Sequence, residues 1–238
     1  MKRDDLEDVL DNMAKLTSLD EMKSTLLDIR EECGFANVVY HASRIPGCEQ
    51  PNPILLLSYE EGWVKKYINE NYFDIDPVIE QSYMGTLAVD WSELDMSKSS
   101  ARHLFKEADR YGVGRNGVTI PIRGPNGERA LFTATSNLSP REWAERKQSY
   151  IRTCHLIAHF FHARAVHLSG FRTDIPKLSS RERQCMKLVA LGHHAKVISH
   201  ELGISESAVR LYTRSARHKL RCATLAEGAV RATQLELI

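Results

Sequence analysis

Between Leu178 and Leu220 the chain carries a pattern that few folds accept. It reads Leu178-Ser179-Ser180-Arg181-Glu182-Arg183, then Val197-Ile198-Ser199-His200-Glu201-Leu202-Gly203-Ile204-Ser205-Glu206-Ser207-Ala208-Val209, then Arg210 to Leu220. Ile198 and Leu202 share one face of a helix. Gly203 supplies the left-handed residue that ends it. Ile204 plugs the angle, Ser205 caps the next helix and Val209 points back into a core. The spacing predicts a helix-turn-helix whose second helix bears Arg210, Tyr212, Thr213, Arg214, Arg217 and Lys219. Arg210 and Arg214 lie one turn apart and can enter a major groove together, where the guanidinium fork suits guanine O6 and N7. A solvated basic face is the bland alternative; the turn and its caps favour DNA.

Charge agrees once the chain is divided. Residues 176–238 hold 11 Lys and Arg against 5 Asp and Glu, whereas residues 1–175 hold 21 against 26. The net charge of +1 thus conceals an acidic front and a basic back, as suits phosphate contact by the tail alone.

A length of 238 residues accommodates two small domains, and 42% hydrophobic residues allows real cores. No apolar run approaches the roughly 18–20 residues of a membrane span. Met1-Lys2-Arg3-Asp4-Asp5 leads into no apolar stretch, so no secretory signal is expected. Five cysteines without metal-type spacing read as small core residues in a reducing cytoplasm. The expected location is therefore cytoplasmic, with no membrane partner.

Along the front, Leu6 to Leu16 forms an amphipathic helix, and Ser18 with Glu21 predicts a capping box for a second helix that stops at Gly34. Phe35–His41 and Ile54–Tyr59 read as strands flanking a loop at Gly47–Pro53. Glu60–Tyr72 reads as a helix, and Pro77 opens another after Asp76. Leu87–Trp91 reads as a strand, and Ser99 or Ser100 caps a helix reaching Tyr111. Val118–Ile122 and Arg129–Thr135 flank Gly124-Pro125-Asn126-Gly127, whose Asn-Gly step signals a hairpin. Ser139-Pro140-Arg141-Glu142 starts a long helix with the stripe Tyr150, Cys154, Ile157, Phe161 and Ala165. The expected fold class is α+β: an α/β/α sandwich around an antiparallel sheet over residues 1–167, a linker at 168–176, and an all-α helix-turn-helix domain at 177–238.

The front domain also carries an aromatic and acidic cluster. Tyr59, Trp63 and Tyr67 recur every four residues, Asp76 sits among Ile75, Val78 and Ile79, and Trp91 ends a strand. Thr119 and Thr133 fall on the two hairpin arms, where alternation can place them on one sheet face. Together these residues suit an apolar cavity with a few polar groups, and a buried Asp would welcome a ligand's amide N–H. Plain core for the aromatic stripe and a helix cap for Asp76 are the structural alternatives.

The run Tyr59-x3-Trp63-x3-Tyr67…Asn71-Tyr72-x3-Asp76-Pro77, then Trp91, then Gly117-Val118-Thr119-Ile120-Pro121, resembles the autoinducer-binding domain of LuxR-type quorum-sensing regulators. The tail resembles their DNA-binding domain, with Glu182 and Gly192 in matching positions. The resemblance implies an acyl-homoserine lactone as signal ligand, with no other cofactor. Trp63 would donate to the lactone carbonyl, Asp76 accept the amide N–H and Tyr59 donate to the acyl carbonyl. Tyr67 and Trp91 would form aromatic walls, and Thr133 would meet the amide carbonyl or a 3-oxo group. It further implies a homodimer on inverted-repeat promoter DNA read by Arg210 and Arg214, with RNA polymerase as a further candidate partner. Three departures stand out: an extra residue in Gly112–Gly117, Met186 and Leu188 in the first tail helix, and Leu191-Gly192-His193-His194 where a basic residue is commoner.

Two other classes compete. His155, His159 and His162 recur at helical spacing, but no second ligand pair stands out, so no metal site is expected. The chain has no nucleophile motif or phosphate loop, so no catalytic residues and no enzyme are expected. A phosphorylation-controlled response regulator shares this kind of tail but needs an acidic pair near a strand end, whereas Asp4-Asp5 precede a helix. The remaining alternative is an orphan regulator responding to a non-lactone small molecule.

Overall fold

The computed structural model describes residues 3–46, 48, 52–125, 127–170 and 176–238, with side chains from residue 7 onward except at position 84. It divides into two compact units, residues 1–124 with 128–171 and residues 125–127 with 172–238. The hairpin-tip Asn126 and residues 171–175 of the expected linker lie outside the described residues, as does most of the Gly47–Pro53 loop.

In the first unit, α1 (Arg3–Lys15) and α2 (Leu19–Cys33) precede β1 (Asn37–Arg44) and β2 (Ile54–Leu57). Then come α3 (Glu61–Asn69), α4 (Pro77–Met84), β3 (Val89–Asp90) and α5 (Ser99–Arg110). β4 (Asn116–Arg123), β5 (Arg129–Ser136) and the 29-residue α6 (Pro140–Leu168) complete it. The five strands form one antiparallel sheet in the order β2-β1-β5-β4-β3.

Both faces of this sheet are covered, and residue alternation sorts them. Val38, Tyr40 and Ala42 of β1, Ala130, Phe132 and Ala134 of β5, and Val118, Ile120 and Ile122 of β4 point into one core with Met22, Leu26, Cys154, Ile157 and Phe161. There α6 lies against β4 and β5, α1 against α6, and α2 against β1. The intervening residues Val39, His41, Leu131 and Thr133 face the opposite way, with Leu55 and Leu57 of β2. A one-residue slip of register would exchange the two sets, so burial on both faces holds the pairing in place.

Capping follows sequence chemistry at most helix starts. Ser139–Glu142, Ser179–Glu182 and Thr224–Glu227 form complete capping boxes. The expected Ser18–Glu21 box closes on one side only. The Ser18 hydroxyl accepts from the Glu21 amide, but the Glu21 carboxylate turns to the Thr17 amide and hydroxyl (2.6 and 2.9 Å). α5 begins after Lys98 with no side-chain cap, so neither Ser99 nor Ser100 has that role. The expected helix to Tyr72 stops at Asn69, and Asn71, with φ of 51°, turns the chain into a short 3-10 segment, Tyr72–Asp74.

The second unit contains α7 (Ser180–Ala190), α8 (Ala195–Leu202), α9 (Glu206–Lys219) and α10 (Leu225–Gln234). Gly203, at φ 63°, ends α8 in the left-handed conformation, and the Ser205 side chain accepts from the Ala208 amide to cap α9. Ile198, Val209, Cys185 and Leu188 form the core of the turn, with Ile204 packed against them. Met186 sits in a neighbouring cluster with Ala216, Leu220 and Ala232. No helix among the described residues is long and apolar enough to cross a membrane.

Candidate functional site

In the first unit the cavity of about 140 Å³ lies between the odd-numbered sheet face and α3, α4 and α5. Its sheet wall is Val39, His41, Leu55, Leu57, Leu131 and Thr133. Tyr59, Trp63, Tyr67, Asp76 and Trp91 line it from the other side, with Phe73, Leu104 and Phe105 between them. Six of the seven expected ligand residues therefore line one cavity.

Thr119 is the exception. It is fully buried, directly opposite Thr133 in the β4–β5 register, and does not reach the cavity. Its hydroxyl accepts from the Trp91 indole (3.0 Å) and lies 2.9 Å from that of Thr133. Thr119 thus holds two wall residues in place from behind. Trp91 is positioned twice more. A Cβ on Gly117 would come within 2.5 Å of the Trp91 ring, so only glycine lets the indole lie this close to β4. Asp90 caps the 3-10 turn Trp91–Glu93 through the Ser92 amide and also accepts from Trp143 (3.2 Å) and Lys147 (2.7 Å) on α6. Burial pushes the Asp90 carboxyl up, but Lys147 and these hydrogen bonds outweigh it and hold it below the usual range.

Asp76 caps a helix and also lines the cavity. Its Oδ1 accepts from the Val78 amide (2.8 Å), capping α4 with Pro77 at the first helical position. Its Oδ2 accepts from the Tyr67 hydroxyl (2.7 Å) at the cavity wall. A carboxylate has about four lone-pair sites, so acceptor capacity remains. Burial raises the Asp76 pKa; Tyr67 and the amides of Val78 and Ile79 oppose that shift without cancelling it. Burial and the neighbouring carboxylate raise both Tyr59 and Tyr67, so both phenols stay protonated.

Two donors at this end have no protein acceptor among the described residues: the Tyr59 hydroxyl and the Trp63 indole N–H. The Trp63 ring is held by Tyr67, Tyr72 and Tyr111, each with centroids 5.7–5.8 Å away. The site is thus an apolar chamber with donors and one acidic acceptor at a single end. Such an arrangement offers hydrogen-bond donors and an acceptor to a polar head and apolar walls to a tail.

In the second unit Arg210 and Arg214 are exposed on α9, and Arg210 makes a 3.4 Å surface pair with Glu206. The other expected DNA residues have partners within the unit. Thr213 is buried, and its hydroxyl donates to the carbonyls of Val209 and Arg210. This corrects its assignment to the DNA-facing surface: residues 209, 213, 216 and 220 form the buried stripe of the helix. Arg217 donates to the Ala223 carbonyl (2.8 Å), and Lys219 to the Lys177 carbonyl (3.3 Å) and Glu182 (2.8 Å). Glu182 also accepts from the Ser179 amide and Ser215 hydroxyl, tying the start of α7 to α9. Burial alone would raise its pKa, but Lys219 and these donors hold it near 2.

The histidines of α6 do not share one face. His155 and His159 stack with centroids 6.4 Å apart, whereas His162 turns inward to the Tyr40 hydroxyl (2.8 Å).

A chambered α/β unit and a helix-turn-helix unit together define a ligand-sensing transcriptional regulator. Residues 18–165 match the autoinducer binding domain model, and residues 176–232 match that of bacterial regulatory proteins of the luxR family. The chain belongs to the LuxR family of quorum-sensing transcriptional regulators, a family of regulators rather than enzymes. It is 46% identical over 185 residues to the transcriptional activator protein RaiR of Rhizobium etli, covering 77% of this chain and 76% of that one. In fold it is similar to Escherichia coli SdiA, with a TM-score of 0.68 at 20% identity over 98% of this chain and 97% of that one. It is also similar to the N-acylhomoserine lactone dependent LuxR family factor CepR2 of Burkholderia cenocepacia. There the TM-score is 0.55 at 19% identity, over 68% of this chain and 94% of that one.

Proposed function

We propose that the chain is a cytoplasmic, dimeric regulator whose first unit binds an acyl-homoserine lactone and whose second unit reads inverted-repeat promoter DNA. The observation that carries this reading is the convergence of Tyr59, Trp63 and Asp76 at one end of an apolar chamber. An acyl-homoserine lactone supplies the complement: a lactone carbonyl for the Trp63 indole, an amide N–H for Asp76 and an acyl carbonyl for Tyr59. Tyr67 fixes Asp76 in place, Trp91 walls the chain, and Thr133 offers a hydroxyl to a carbonyl near the amide. Thr119 acts through Trp91 and Thr133 rather than on the ligand. A ligand enclosed in this way stabilises the folded protein by linkage, about 2.7 kcal/mol at 100 times Kd.

On DNA, Arg210 and Arg214 are the base-reading pair, with the dimer setting half-site spacing. Arg217 and Lys219 shape the helix and add positive charge near phosphate. The test is operator binding by the full chain, with and without lactone, for wild type and Arg214→Ala. The substitution is expected to cost about 1–3 kcal/mol on the specific site and little on random DNA. Equal loss on both would make Arg214 a phosphate contact, and ligand-independent binding would remove the sensor role.

A further inference from the structure

One residue of the chamber does not fit an all-apolar chain. His41 of β1 lies on the sheet wall, 4% exposed, among Leu55, Leu57 and Leu131. Its ring stands 5.7 Å from that of Phe73, which stands 5.0 Å from that of Tyr67, the partner of Asp76. In the strand register His41 pairs with Leu131, two residues along from the Val39–Thr133 pair. That displacement is about 7 Å along the same face from Thr133.

The ring has a defined polarity. Nε2 lies 2.7 Å from Oδ1 of Asn52, an exposed residue in the left-handed conformation at φ 53°. An amide oxygen only accepts, so Nε2 carries the proton. Burial lowers the pKa of the imidazole more than Asn52 raises it, and the ring stays neutral. The remaining ring nitrogen, Nδ1, is then an acceptor with no protein donor among the described residues. Leucine or phenylalanine would complete an apolar wall here; an acceptor costs binding energy against a plain hydrocarbon chain and contributes only if the ligand brings a donor.

We infer that His41 is a specificity-determining residue that accepts a hydrogen bond from a hydroxyl group on the ligand's acyl chain, beyond the amide carbonyl. The inference rests on the lactone reading above and narrows it to hydroxyl-bearing acyl chains. A keto group in the same place would set acceptor against acceptor.

The test is direct binding by the full-length protein of homoserine lactones with one chain length. These carry no substituent, a 3-oxo group, a 3-hydroxyl, or a hydroxyl moved stepwise outward. One hydroxyl isomer is expected to bind about 10-fold more tightly than both the oxo and the unsubstituted ligand. In His41→Leu that preference is expected to fall to within about 2-fold, with the unsubstituted chain gaining affinity. Asn52→Ala leaves the ring and the core in place but frees Nε2 to become the acceptor. Its discrimination between hydroxyl and oxo ligands is expected to weaken. Preference for the oxo or plain chain, or a hydroxyl preference that survives His41→Leu, overturns the inference while leaving the lactone reading intact. Failure of every lactone to bind overturns both.

Discussion

Asp76→Ala will lose the response to ligand at concentrations that saturate the wild-type protein. The substitution removes the only carboxylate among the described residues of the chamber and leaves the Tyr67 hydroxyl and the Val78 amide without their acceptors. A hydrogen bond to a charged group contributes about 1.5–3 kcal/mol, or about 10- to 150-fold in Kd. Loss of the α4 cap adds about 1 kcal/mol against stability. The two effects separate by experiment. Asp76→Asn keeps an oxygen for the cap but removes the charge, so it should recover stability more than affinity. Isothermal titration against the tightest lactone reads the affinity, and DNA binding by the second unit serves as the control. Undiminished lactone affinity in Asp76→Ala would show that the carboxylate only caps the helix.

Glu182→Ala should produce the largest loss of stability in the second unit. Three donors converge on this carboxylate: Lys219 Nζ, the Ser179 amide and the Ser215 hydroxyl. Removing one partner of a buried pair costs about 3–5 kcal/mol, and the Lys219 side chain, 40% exposed, brings the cost here to about 2–3 kcal/mol. The same network sets a pH dependence. The carboxyl titrates near 2 in the folded protein and near 4.3 when unfolded. Its stabilisation is therefore complete above about pH 4.3 and is lost as pH falls toward 2. Chemical denaturation of the second unit between pH 6 and pH 3 should show this loss in wild type, and a shallower one in Glu182→Gln. Identical slopes in the two proteins would assign the acid sensitivity to other groups.

Much of this molecule was legible in residue types at fixed spacing. Ser139, Ser179 and Thr224 are each followed by glutamate three residues later, and each forms a capping box because the partners are local. Ser18 shows the limit of that rule: Thr17 offers Glu21 two donors, and the carboxylate takes them. The cluster Tyr59, Trp63, Tyr67 and Asp76 was visible for the same local reason, since one short stretch of chain supplies most of the polar end. The opposite wall was not. Val39, His41, Leu55 and Leu57 look like ordinary strand residues, and alternation divides them into two faces without saying which face encloses a chamber.

Thr119 and Thr133 mark the boundary more finely. Alternation placed them on one side of the sheet, as the structure does, but Trp91 and the cross-strand register decide which hydroxyl reaches the cavity. Thr213 is buried, and its spacing signals as much. Counting from Val209 at helical spacing puts it on the buried stripe with Ala216 and Leu220. A polar residue type suggests the surface, but this hydroxyl is satisfied by its own helix.

The most direct test of the account is thermal unfolding of the purified full-length protein across a panel of acyl-homoserine lactones, with mass spectrometry of any ligand retained from expression. The expected result is a rise in melting temperature that depends on the acyl chain and vanishes in Asp76→Ala, or a co-purified lactone released on unfolding. A folded protein whose melting temperature is indifferent to every lactone, and which carries none, would contradict it.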